Sequence, residues 1–168
     1  MREYALKELP ENGLERALAK AERYRVLNDP ENAESICRDV LAKSPDHPAA
    51  LVVLGLSITD QFARAWSRRF EEALEVFKRL AGEYERLYYT GIAWERCAKA
   101  QLDQGQVHNA AGSFEQALVY FDRAESVAPD GDPDPVLRWN RCVRVLQNDP
   151  NLAAARRDLH APQHDVGD

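Results

Sequence analysis

An all-α fold is predicted for this chain by three observations. Apolar residues recur at three- and four-residue spacing, as in Leu51, Leu54, Ile58 and Phe62, and again in Phe70, Ala73, Leu74, Phe77 and Leu80. Glycine, proline and Asn-Asp clusters cut these stretches into segments of helical length. No segment sustains the period-two alternation of a half-buried strand. Val52-Val53-Leu54 favours β locally, but it lies in a longer helical pattern that follows Ala49-Ala50.

Taken in order, the segments read as eight helices. The first, 13–27, starts at Gly13 and stops at Asn28-Asp29-Pro30. The second, 30–43, runs to the break Ser44-Pro45-Asp46-His47-Pro48. The third and fourth, 47–63 and 67–81, are separated by no strong breaker, since only Gly55 interrupts Ala49 to Ala81. A turn within Asp60 to Ser67 is nevertheless expected, because one continuous helix would leave an apolar stripe without a partner. Gly82 precedes the fifth helix, 84–104, and Gly105 separates it from the sixth, 107–127. Pro129 to Pro135 introduces the seventh, 134–148, and Asn148-Asp149-Pro150 the eighth, 151–160, which is Ala-rich and polar as a solvent-facing cap should be. Connections this short favour antiparallel hairpins of consecutive helices. Residues 1–160 are read as one domain and 161–168 as a disordered tail.

Composition sets limits on function. Of the 168 residues, 45% are hydrophobic and 30% charged, which suits a folded domain with a sizeable core. The formal net charge of −6 argues against nucleic acid as a partner, because phosphate contacts need clustered cations. Arg64, Arg68, Arg69, Arg138, Arg141 and Arg144 alternate with acids and apolar residues, the pattern of a solvated helix face. No apolar run approaches the roughly 20 residues of a membrane span, and the N-terminus shows no apolar stretch of signal-peptide length. A cytoplasmic location is expected. Cys37, Cys97 and Cys142 are odd in number and widely spaced, so neither a disulfide framework nor a CxxC metal site is expected.

The helices also repeat. Ala33, Cys37, Val40 and Pro45 are spaced four, three and five apart, as are Ala117, Phe121, Ala124 and Pro129. Ala73, Phe77 and Leu80 keep the same spacing, with Glu85 in place of the proline. Among the first helices of each pair, Leu51, Leu54, Gly55 and Ile58 match Leu87, Thr90, Gly91 and Trp94. The pattern resembles the tetratricopeptide repeat. In it, small residues such as Gly55 and Ala73 let helices approach closely, and large ones such as Phe77 fill the gap to the next pair.

The third pair fits the repeat in two registers that differ by seven residues per helix, nearly two turns, so its packing face stays in phase. Each of its helices is therefore expected to be about 10 Å longer than usual. The resemblance, covering roughly residues 14–160, implies a right-handed α-solenoid of about four antiparallel hairpins with the third lengthened.

No catalytic constellation stands out: HExxH, P-loop, glycine-rich nucleotide fingerprint and GxSxG are all missing from the sequence. His160 and His164 are spaced i, i+4, but Pro162 intervenes and no third ligand is near in sequence. The chain is read as a non-enzyme with no cofactor and no metal.

The resemblance instead implies a concave groove, lined by the first helix of each pair, that holds a partner peptide or helix. Transferred through the repeat register, the groove positions are Arg25, then Val52, Leu56 and Thr59, then Glu95, Arg96 and Lys99, and finally Trp139 and Asn140. The positions that clamp chaperone C-termini in some members hold Leu18, Glu22, Val53, Ile92 and Arg96, of which only the arginine suits a carboxylate.

Three functional readings are compatible with these features. The first is a protein-binding adaptor or scaffold. The second is a homo-oligomeric structural protein. The third is a small-ligand sensor whose pocket would be lined by Trp94, Gln101 and Trp139. Phe62 and Trp66, with Tyr84, Tyr88 and Tyr89, could pack as core or form a contact surface.

Overall fold

The computed structural model describes residues 4–161. Within them the chain is all-helical, with no strand. A 3₁₀ turn, Glu11–Gly13, leads into eight α-helices: α1 Leu14–Val26, α2 Pro30–Lys43, α3 Pro48–Thr59, α4 Phe62–Lys78, α5 Glu83–Asp103, α6 Val107–Ser126, α7 Asp134–Asn148 and α8 Pro150–Leu159. Apart from Ala161, the segment expected to be a disordered tail lies outside the described residues, as does His164.

The breaks have local physical causes. Asn28, at φ 60°, takes the left-handed conformation that closes α1. Asp29 then caps α2 by accepting the Asn32 N–H at 3.3 Å, with Pro30 in the first turn. Asp149 does the same for α8, accepting the N–H groups of Asn151 at 2.9 Å and Leu152 at 3.3 Å, ahead of Pro150's own helix. At α3 the cap is His47, whose Nδ1 accepts from Ala50 N–H at 3.3 Å.

The break between α3 and α4 is shorter and earlier than expected. α3 stops at Thr59 rather than 63, and α4 starts at Phe62 rather than 67. Side chains from outside α3 help to satisfy its last carbonyls. Gln61 Nε2 donates to Ser57 O at 3.1 Å, and Arg96 Nη1 reaches from α5 to Leu56 O at 3.2 Å. The chain bends a second time inside α4, where Ala65 leaves helical geometry at φ −161°, ψ 44°. The expected single turn is thus divided between a tight turn at Asp60-Gln61 and a kink at Ala65.

Each helix from α1 to α7 packs against the next, and α8 lies against both α6 and α7. α1 also touches α3, and α3 touches α5. α5 and α6 have 21 and 20 residues, against 13 and 14 in α1 and α2, and they share the largest helix–helix contact. One core fills the space among α1 to α4 and includes Ala93, Cys97 and Ala100 of α5. A second core joins α5 to α8 through Leu87, Ile92, Phe114, Phe121, Cys142 and Leu152. α5 therefore belongs to both.

Within these cores the glycines meet phenylalanine rings. A Cβ on Gly55 would lie 2.2 Å from Phe77 Cε1, and one on Gly91 would lie 2.6 Å from Phe121 Cε1. Positions matched by repeat spacing in the sequence thus touch one another in the same way in α3–α4 and in α5–α6. The aromatics left open between core and surface are mainly core. Phe62 and Tyr88 are buried, Trp66, Tyr84 and Tyr89 half-buried, and the rings contact one another or the core phenylalanines: Phe62 meets Phe70, Phe77 stacks on Tyr89, and Tyr84 stacks on Tyr88. Trp66 also donates its indole N–H to Gln104 Oε1 at 3.1 Å, tying the kinked part of α4 to the end of α5.

Candidate binding surface

The odd-numbered helices carry all nine positions that the repeat register assigns to a groove. Val52 and Leu56 of α3 are half-buried against the first core, and Trp139 of α7 is half-buried against the second. Asn140 is exposed. The remaining five belong to two linked ionic clusters.

The first cluster centres on Asp60, just past the end of α3. Arg25 Nε of α1 donates to its Oδ2 at 2.8 Å, and Arg96 of α5 donates to its Oδ1. The same Arg96 nitrogen reaches Thr59 Oγ1 at 2.5 Å, and Thr59 is itself buried, donating its hydroxyl proton to Leu56 O at 2.8 Å. Burial holds the Arg96 guanidinium below its ordinary pKa; the neighbouring Arg25 and Arg138 add to that effect against the opposite pull of Asp60.

The second cluster centres on Glu95 of α5, which is only 1% exposed. Its carboxylate receives Arg138 Nη1 at 3.2 Å and Arg141 Nε at 3.3 Å, both from α7, and Lys99 Nζ lies 3.4 Å away on its own helix. A charge this deep in the protein is tolerated only when paired, and here three cations surround it. They remain open to solvent themselves, with Arg138 33% and Arg141 56% exposed.

Thr59 and Glu95 are therefore not free surface side chains: both are buried and engaged by arginines. Sequence reasoning missed Asp60, Arg138 and Arg141. The expectation of a uniformly solvated arginine face is corrected for Arg138, and for Arg69 of α4, which is half-buried and donates to Glu34 Oε2 of α2 at 2.6 Å. The available signal was Glu95 itself, an acid on the same helix face as Gly91, Ile92 and Ala98.

Chemically, guanidinium groups bind and orient anions but do not exchange protons near neutrality. The thiols are not poised for reaction either, because burial pushes Cys37 up to about 12, Cys97 to about 11 and Cys142 to about 12. Among the described residues no group of three His, Cys, Asp or Glu side chains is placed to hold a metal ion, and no helix is long and apolar enough to cross a membrane. His160 Nε2 instead meets Glu115 Oε1 at 2.7 Å. The three residues considered for a ligand pocket have separate duties: Trp94 packs edge-on against Phe70, Gln101 Oε1 accepts the Ser113 hydroxyl at 2.7 Å, and Trp139 covers the second core. No model of a known protein family matches the chain, and no curated protein matches it.

Proposed function

We infer that this chain is a protein-interaction module of tetratricopeptide type. Its helices would pair as α1–α2, α3–α4, α5–α6 and α7–α8 and stack into a right-handed solenoid. The face formed by α1, α3, α5 and α7 would receive a peptide or helix of a partner protein. The observation that carries the reading is the recurrent glycine–phenylalanine contact, Gly55 on Phe77 and Gly91 on Phe121, at positions the repeat spacing matches. The packing of each helix from α1 to α7 on its successor, with α1 on α3 and α3 on α5, is what such stacking requires. Three free, buried cysteines suit a reducing compartment, the cytoplasm.

The test is affinity capture from the native lysate with the wild-type chain and with Arg25→Glu combined with Lys99→Glu, both checked for helicity by circular dichroism. The double variant is expected to lose partners that the wild type retains. Capture of every partner by both proteins would remove the groove assignment.

A further inference from the structure

Resting on the reading of α1, α3, α5 and α7 as a binding face, we propose that its partner is an acidic peptide segment whose carboxylates dock on the arginine cluster of α5 and α7. The chain as a whole is acidic, with a net charge of −6. This face is locally the reverse. Arg25, Arg96, Lys99, Arg138 and Arg141 gather around two acids, Asp60 and Glu95, and Glu22 of α1 is a third acid on the register's groove positions. Arg25 and Arg138 each lie within electrostatic reach of Arg96 although all three carry the same charge. Asp132 and Asp134 border the cluster at the start of α7, and Asp132 is occupied by the Tyr84 hydroxyl, which donates to it at 2.7 Å.

The cations also have binding capacity left over. Arg25 and Arg141 each engage an acid through Nε alone, so that among the described residues their terminal nitrogens remain unengaged. Those nitrogens offer the forked geometry that a carboxylate accepts best. Beside the cluster, an open depression lined by Arg141, Arg144, Val145, Asn148 and Asp149 adds a further cation and an apolar wall; the one acid in it, Asp149, is occupied in capping α8 through the N–H groups of Asn151 and Leu152. Glu95 is too buried to be displaced, and it fixes Arg138 and Arg141 in place before any ligand arrives. Asp60 is different: it sits at a turn and holds Arg25 and Arg96 by their side chains alone, as an internal competitor for an incoming carboxylate.

The experiment is selection of a random-sequence peptide display library on the immobilised full chain, followed by affinity measurements on the enriched peptides. Enriched peptides are expected to be acidic. Their binding should weaken as salt is raised and fall about tenfold in Arg141→Gln combined with Arg144→Gln. That variant leaves Arg138 and Lys99 on Glu95 and so keeps the fold. In Asp60→Asn the same peptides should bind several-fold tighter, a gain that a merely structural aspartate would not give. Enrichment of neutral or basic peptides, lost in Arg25→Glu with Lys99→Glu, would overturn the acidic partner and leave the interaction module standing. No enrichment at all would overturn both. Acidic peptides that bind the arginine variant as tightly as the wild type, or a single-stranded oligonucleotide that binds as well as they do, would also overturn the proposal.

Discussion

At the scale of single residues, Gly55 and Gly91 leave no room for a Cβ against a buried ring. Phe77 and Phe121 are fully buried, so neither ring can swing away from an added methyl group. Gly55→Ala is therefore expected to lower stability by about 1–3 kcal/mol, read as a shift in the urea midpoint. Part of that loss should return in Gly55→Ala with Phe77→Leu, where the smaller side chain vacates the space the Cβ needs. An unchanged midpoint in the single variant would refute the close approach. Both glycines and both phenylalanines were legible in the sequence, because their spacing repeats. Asp60, Arg138 and Arg141 were not. An ion pair between residues 35 to 46 positions apart, as here, leaves no periodic trace, and only the fold brings the partners together.

At the scale of elements, Glu34 joins α2 to the α3–α4 pair. It accepts Arg38 Nη2 from its own helix at 2.7 Å, Gln61 Nε2 from the α3–α4 turn at 2.7 Å and Arg69 Nη2 from α4 at 2.6 Å. Burial pushes its pKa up, but the hydrogen bonds from Arg38, Gln61 and Arg69 outweigh this and hold it below the ordinary 4.5. A carboxylate depressed in the folded state stabilises fully above its unfolded pKa. That contribution is lost as pH falls from about 4.5 through the lower folded value.

Glu34→Gln should thus cost about 1–2 kcal/mol at neutral pH and flatten the decline of stability as pH falls below the ordinary 4.5. Parallel stability–pH curves for wild type and variant would rule this out. The same contacts explain why the α3–α4 boundary escaped sequence reading while α1, α2 and α8 were placed within a residue or two. The Asn-Asp-Pro breaks act through the backbone of their own segment. The end of α3 is instead settled by Gln61 and by Arg96, which arrives from a helix more than 30 residues later.

At the scale of the whole molecule, α5 is the element through which the two halves of the fold are joined. It supplies Ala93, Cys97 and Ala100 to one core and Leu87, Ile92 and Ala98 to the other. Glu95 lies between them and is held from α7. Its consequence is one of alignment. Apolar surfaces on two helices tolerate sliding by a turn, since one ridge resembles the next. A buried carboxylate does not. A register of α7 that moved Arg138 and Arg141 off Glu95 would leave it with Lys99 of its own helix alone, a weaker match for a charge in a medium of low dielectric.

In Glu95→Leu the freed cations can turn to water, so overall stability should change little, by about 1 kcal/mol or less. What should be lost is uniqueness. The amide resonances of α7 are expected to broaden or double as the helix samples neighbouring registers; a single sharp set would refute the idea. The acid beneath the arginines would thus work as a key, favouring the docking in which two arginines of α7 reach it over those that leave it to Lys99.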